Sequence, residues 1–547
     1  MLLFNSSRSP IVAQRGMVAS SQPLASQAGL RILMQGGNAA DAAVAMAAAL
    51  NVTEPCSTGL GGDCFALCYE TRTRTVHALN GSGRAPAALD LSQIHHAGLF
   101  RDRHAPIADP YHALDITVPG ACAGWCDLIE KLGSLPLTTI LAPAIELAEG
   151  GFPVAPLTAH FWGRGAENQL RRALGGQALT LNGRGPRPGE IFCNPGLGRT
   201  LRVIAEGGKT AFYTGKIAES IARTVQRAGG VLTVADLAEH TSTWETPLST
   251  VYRGLRVWEC PPNGQGLTAL LALNILRGVD LAALDPLSPD RWHWQIEAAR
   301  LAFADARRYI ADPTFAQIPL GQLLSPDYAA ERRAQIDLRH AIHDAQPGLR
   351  AGADTVYFCA VDGAGNACSL INSNYMGFGT GIVPFDAGGS WGFSLQNRGH
   401  NFSLDPAHPN CLAPRKRPYH TIIPGLLTHA ADDALYGPFG VMGGVMQPQG
   451  HAQVVVALAD DGLDPQAALN RLRFCIDPET PNGVVSLETG LPTALVTELR
   501  QRGHPVRAEI SGYARALFGR GQIIRRDAEG VLWGGSDPRA DGCAMGF

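Results

Sequence analysis

Residues 353–372 read Ala-Asp-Thr-Val-Tyr-Phe-Cys-Ala-Val-Asp-Gly-Ala-Gly-Asn-Ala-Cys-Ser-Leu-Ile-Asn, and this stretch constrains the chain more than any other. Two apolar, β-prone runs flank the turn Gly363-Ala364-Gly365-Asn366, so the pattern predicts a β-hairpin. Thr355 stands at the mouth of the first strand. If the backbone is cut before it, Thr355 carries a hydroxyl nucleophile and a free α-amine on one Cα. An α-amine has an ordinary pKa near 7.7–8.0, so it can take the hydroxyl's proton near neutral pH. Nucleophile and base then come from one residue. A threonine at a strand start is common for packing reasons alone, so the rest of the chain has to decide.

Cleavage needs an accessible backbone, and composition supplies a candidate. Arg332 to Arg350 is charged and weakly periodic, and apolar content falls just before Ala351. We expect an exposed linker there. The chain has 547 residues, 45% hydrophobic and 17% charged, enough for a large core. Its net charge of −3 argues against a nucleic-acid surface. The 63 glycines point to tight turns rather than disorder, because the apolar content is ordinary. Twelve cysteines without a C-x-x-C pair read as reduced thiols; Cys56, Cys64 and Cys68 come nearest to a metal-like cluster. No signal peptide or membrane span is legible. A cytoplasmic protein without cofactor or metal, and without nucleic-acid or membrane partners, is expected.

Along the chain, Gln22 to Val52 predicts two helices parted at Gly36-Gly37, the second (Ala39 to Leu50) capped by Asn38 with Asp41 in its first turn. Strands are expected at Cys64–Glu70 and Val76–Leu79. The middle, Ala121 to about Ala345, reads as largely helical, with a helix start at Thr233. Two nucleotide- or esterase-like matches fail on inspection. Gly207-Gly208-Lys209-Thr210 lacks the first P-loop glycine, where Val203 stands. Gly388-Gly389-Ser390-Trp391-Gly392 fits G-x-S-x-G, but no helix start follows the serine. Arg84, held between Gly83 and Ala85-Pro86, offers a planar fork suited to a carboxylate. Paired glycines at Gly443-Gly444 can present two N–H groups to one oxyanion.

Together these pieces resemble the γ-glutamyltransferase family of N-terminal-nucleophile hydrolases. The marks run through Gly16-Met17-Val18-Ala19-Ser20-Ser21, Gly36-Gly37-Asn38-Ala39-Ala40-Asp41, Thr53-Glu54-Pro55, Gly59-Leu60-Gly61-Gly62, Arg84-Ala85-Pro86, Val118-Pro119-Gly120, Lys416-Arg417-Pro418 and Gly443-Gly444. The resemblance implies a four-layer αββα sandwich made as one precursor. It cuts itself between Asp354 and Thr355 into a large (1–354) and a small (355–547) subunit that form one intertwined domain, with a dimer of these heterodimers left open. It also implies that Thr355 attacks an amide carbonyl and that Ser373 hydrogen-bonds the nucleophile. Gly443 and Gly444 would stabilise the oxyanion, where losing one donor typically costs about 3–4 kcal/mol of barrier. Arg84 falls on the arginine that grips the substrate carboxylate.

Departures from the γ-glutamyl pattern set the expected substrate. His400-Asn401 stand where the family has an acidic pair that binds the substrate's α-amino group. Tyr375 replaces an asparagine, Arg398 a neutral residue, and His420 and Thr421 two serines. The carboxylate grip survives while the ammonium site is lost. This pattern is similar to the branch containing oxamate amidohydrolase and acylases, and it predicts a small, carboxylate-bearing amide as substrate. A γ-glutamyl hydrolase or transferase acting on glutathione-like substrates, a cephalosporin-type acylase, and a binding protein without turnover are the alternatives.

Overall fold

The computed structural model describes residues 8–343, 354–477 and 483–547. Two antiparallel seven-stranded sheets lie face to face at its centre. The first runs Cys543–Gly546, Met17–Ser20, Asp354–Val361, Ala367–Tyr375, Asp63–Glu70, Thr75–Gly81, Thr243–Glu245. The second runs Ile11–Ala13, Leu532–Ser536, Arg520–Arg526, Leu435–Met442, Gly425–His429, Leu255–Glu259, Leu248–Tyr252. Helices Pro23–Met34 and Ala39–Thr53 cover the outer face of the first sheet, and Gly266–Leu276 and Met446–Ala459 that of the second. This is the four-layer αββα sandwich.

The predicted hairpin forms, with Val361 opposite Ala367 and Val356 opposite Asn372. It sits in the middle of the first sheet, between Met17–Ser20 and Asp63–Glu70. Strands from before and after Thr355 therefore interleave in both sheets. Two local devices allow such close layers. The helix Ala39–Thr53 is buried along its whole length, and its alanines let it approach the hairpin strands. Its start is fixed by a reciprocal capping box between Asn38 and Asp41, which satisfies two otherwise orphaned donors. Between the sheets, Gly440 faces the Tyr357 ring so closely that a Cβ there would lie 2.5 Å from a ring carbon; a side chain would push the sheets apart.

The helical reading of the middle needs correction. Helices Ala121–Leu132, Leu137–Gly150, Lys216–Arg227 and Pro289–Tyr309 form as expected, and Thr233 caps Val234–Ala238. Three strands, Thr243–Glu245, Leu248–Tyr252 and Leu255–Glu259, interrupt them and complete both sheets. Their signal was present as the alternation Leu255-Arg256-Val257-Trp258-Glu259, whose burial alternates along the strand. A small sheet, Phe474–Asp477, Val484–Glu488 and Val506–Ile510, adds a satellite core with helix Thr493–Gln501. The expected linker, Arg332 to Arg350, is partly structured: Arg332 and Arg333 end helix Pro326–Arg333, and Ala341 and Ile342 donate to Arg502 O and Glu297 Oε2. Residues 344–353, including the stretch just before the expected cut, lie outside the described residues. Gly389–Ser390 forms a two-residue strand paired with Phe385–Asp386, and no helix follows it, so no nucleophile elbow exists there. No helix among the described residues is long and apolar enough to cross a membrane.

Candidate active site

Thr355 is fully buried at the start of the central strand. Its Oγ1 donates to Ser373 Oγ at 3.1 Å, so the expected nucleophile and its hydroxyl partner are in contact. Ser373 Oγ also accepts from the Tyr375 amide at 2.9 Å and from an Arg398 guanidinium nitrogen at 3.2 Å. The other terminal nitrogen of Arg398 donates to Thr421 Oγ1 at 2.8 Å. The guanidinium carbon lies 4.5 Å from the Tyr375 ring centroid, within cation–π range. Tyr375 itself adopts φ 81°, a conformation a bulky residue rarely takes. Arg398, Tyr375, Thr421, Ser373 and Thr355 thus form one connected group. Burial lowers the Arg398 pKa to about 10, against the opposing pull of Asp63, and it stays cationic at neutral pH.

The charge that offsets Arg398 is that of Asp63, buried at the start of strand Asp63–Glu70 directly after Gly61-Gly62. Its Oδ1 accepts from the amides of Gly83 and Gly120 and from Gln396 Nε2, all within 3.0–3.1 Å. Its Oδ2 accepts from His420 Nε2 at 3.0 Å. The Ile422 amide donates to His420 Nδ1, so the ring is the neutral tautomer with its proton on Nε2. Burial, reinforced by the Arg398 charge, pushes His420 down to about 3. Burial alone would raise the Asp63 carboxyl, but the His420 hydrogen bond and the Arg398 charge bring it below its ordinary value. Asp63 is an anion saturated with donors. Nothing in the sequence reading singled out Asp63 for this role.

A second carboxylate was also missed. Asp115 is buried beneath the turn Arg398–Asn401, its Oδ2 3.6 Å from His400 Nδ1. Neither oxygen accepts a hydrogen bond from a described residue. Burial raises its pKa to about 6 even with His400 pulling the other way. His400 and Asn401, with Tyr419, line a cavity of about 730 Å³. The Asn401 amide donates to Tyr419 O, so it serves as a strut as well as a cavity wall.

The two expected loops with Arg84 and with Lys416-Arg417-Pro418 meet: Ala85 N donates to Lys416 O, Arg415 N to Ala85 O, and Arg417 Nε to Ser82 O. The Arg84 guanidinium makes no hydrogen bond or ion pair with any described residue. It lines a cavity of about 210 Å³ with Val118, His240 and Arg415. Gly443 (φ 131°) and Gly444 (φ 59°) take conformations that favour glycine and lead into helix Met446–Ala459, whose N-terminus carries partial positive charge. Gln265 links the halves: Nε2 donates to Gly444 O and Thr421 O, and Oε1 accepts from Tyr419. It comes from Pro261-Pro262-Asn263-Gly264-Gln265, where an Asn-Gly turn after a strand was the only available signal. The single metal-like cluster among the described residues is His293, Glu297 and His504, not the cysteines. There Arg300 pairs with Glu297 at 3.1 Å, so a guanidinium already fills the cation's place.

A buried hydroxyl heading a central strand, between two sheets flanked by helices, defines the N-terminal-nucleophile hydrolase class. Within it, the chain belongs to the gamma-glutamyltranspeptidase family, whose profile matches residues 25–547, and it is an enzyme of that type. The family comprises self-processing amidohydrolases and transferases. The chain is 36% identical to the glutathione hydrolase-like YwrD proenzyme of Bacillus subtilis, covering 98% of this chain and 99% of the relative. It is 34% identical to the oxamate amidohydrolase proenzyme of Klebsiella pneumoniae, covering 98% and 99%. The crystal structure of cephalosporin acylase from Bacillus halodurans superposes with a TM-score of 0.90 at 45% identity, covering 100% of this chain and 98% of that one.

Proposed function

We propose that this protein cuts itself between Asp354 and Thr355 and then hydrolyses the amide of a small, carboxylate-bearing acid without an α-amine, as in oxamate. Attack of Thr355 Oγ1 on the Asp354 carbonyl gives an ester that water opens, leaving subunits 1–354 and 355–547. In the mature enzyme the freed α-amine takes the Thr355 proton. The Arg398 cation, one hydroxyl away through Ser373, favours the developing alkoxide. Gly443 and Gly444 N–H groups receive the oxyanion, and Arg84 pairs with the substrate carboxylate.

The observation that carries the substrate reading is the unequal use of charge. Arg84 has no partner among the described residues, whereas the Asp63 carboxylate is consumed by four donors. A substrate carboxylate has a waiting cation, and a substrate ammonium finds no open anion at Asp63. Burying an unpaired ammonium costs several kcal/mol, and each ~1.4 kcal/mol is tenfold in rate. One observation favours the γ-glutamyl alternative: neither Asp115 oxygen accepts a hydrogen bond from a described residue.

Two measurements test this. Thr355→Ala should stay a single chain and lose all activity; cleavage between Asp354 and Thr355 in that variant refutes self-processing. Purified wild type should turn over oxamate at least about a hundredfold better than a γ-glutamyl anilide, with a glutaryl-cephalosporin amide as the acylase arm of the panel. A faster γ-glutamyl anilide refutes the substrate class and points to Asp115.

A further inference from the structure

Cys68 and Cys368 stand directly opposite each other on the neighbouring strands Asp63–Glu70 and Ala367–Tyr375. Their sulfurs are 3.1 Å apart, about 1 Å beyond a disulfide bond. Both are free and buried. On the far side of Cys68, the next strand places His77 opposite it, so imidazole, thiol and thiol occupy successive positions across three strands. Residues directly opposite in such a ladder hold their Cβ atoms about 5 Å apart. The row borders a cavity of about 750 Å³, whose wall includes Cys68, His77 and Lys131. The chemistry at Thr355 uses none of these groups.

We propose that Cys68 and Cys368 form a disulfide when a low-molecular-weight disulfide enters this cavity. For the tie to join two subunits, it rests on the proposed cut at Thr355; bond formation itself does not. Burial pushes the Cys368 thiol well above its ordinary range, so the cavity-lining Cys68 reacts first. His77 takes the Cys68 proton, and the thiolate attacks one sulfur of the small disulfide. That S–S bond breaks, and one small thiolate leaves and is protonated. The Cys368 sulfur then attacks Cys68 of the mixed disulfide, gives up its proton, and expels the second small thiol. Two protein thiols and one small disulfide become one protein disulfide and two small thiols. The product joins a strand before Thr355 to the strand carrying Ser373.

The test treats purified protein with excess 2-hydroxyethyl disulfide, alkylates it in denaturant, and reads it by non-reducing and reducing gels and by peptide mass spectrometry. A Cys68–Cys368 cross-linked peptide, lighter by two hydrogens, is expected. Without reductant most of the protein should run at full-chain size, and reductant should release two pieces. Cys68→Ser and Cys368→Ser should each abolish the cross-link, with Cys68→Ala as a further variant should either serine fail to fold. The reducing lane reports processing independently: one band there refutes the cut, while the peptide map still reads the thiol pair. Alkylation of both cysteines after treatment, or a cross-link to a different cysteine, overturns the proposal.

Discussion

Asp63–His420 and Asp115–His400 are the same pair of side chains buried in the same site, and they behave oppositely. The first pair is 3.0 Å apart and the second 3.6 Å, a small difference. What separates them is the company of the carboxylate. Two backbone amides, a glutamine and a histidine donate to Asp63, beside the Arg398 cation. Asp115 has only a loosely placed histidine, and burial lifts it to about 6. A buried carboxylate in this site is held ionised when its histidine donates to it directly and other donors and a cation stand beside it. Asp63 is therefore a fixed charge, and Asp115 an adjustable one.

Removing the fixed charge should have the largest effect. Asp63→Asn removes an acceptor shared by four donors and the negative charge that offsets the burial of Arg398, and each buried donor left unmet costs about 1–3 kcal/mol. A fall in thermal stability of that order and loss of processing are expected, read by thermal melts and denaturing gels. A variant as stable as wild type would show that Arg398 does not depend on Asp63. Arg84→Lys should act next. Gly83 N holds the Arg84 loop to Asp63, and lysine cannot reproduce the guanidinium fork. Losing one charge-assisted hydrogen bond, about 1.5–3 kcal/mol, should lower kcat/KM at least about tenfold with processing intact. Unchanged kcat/KM would leave Arg84 a surface residue.

Asp115→Asn should have the smallest effect, and one that depends on pH. With its folded pKa near 6 and its unfolded one near 4, the native state binds this proton more tightly than the unfolded chain. The wild type should therefore lose stability as pH rises from about 4 to 6, on the order of 1–2 kcal/mol. The asparagine variant lacks that loss, so its advantage should grow over the same window in parallel denaturant titrations. A constant gap would mean that Asp115 keeps an ordinary carboxylate pKa.

Most of the fold was legible because its signals are local. The hairpin announced itself through two β-prone runs and a Gly-Asn turn, and the capped alanine helix through Asn38 and Asp41. Thr355, Ser373, Arg398, Tyr375 and Thr421 came into register with one another because the motif order carried them. Asp63, Asp115 and Gln265 were not legible, since their roles exist only across the chain. Asp63 gathers donors from positions 83, 120, 396 and 420, and no spacing rule connects those numbers. The strands at 243–259 were lost for another reason: short alternating runs between long helices were outweighed by their neighbours.

The interleaved sheets change what stability means for this molecule. While residues 354 and 355 are joined, unfolding and refolding concern a single chain and the two directions can balance. Once that bond is broken, refolding becomes an encounter between two chains. The large piece alone lacks central strands of both sheets. The small piece lacks the strands on either side of the hairpin in the first sheet and the outer strands of the second. Both expose open edges prone to association with the wrong partner. The lifetime of the cut form is then set by how slowly its strands first part, a rate rather than an equilibrium, and no later step recovers what that first parting loses.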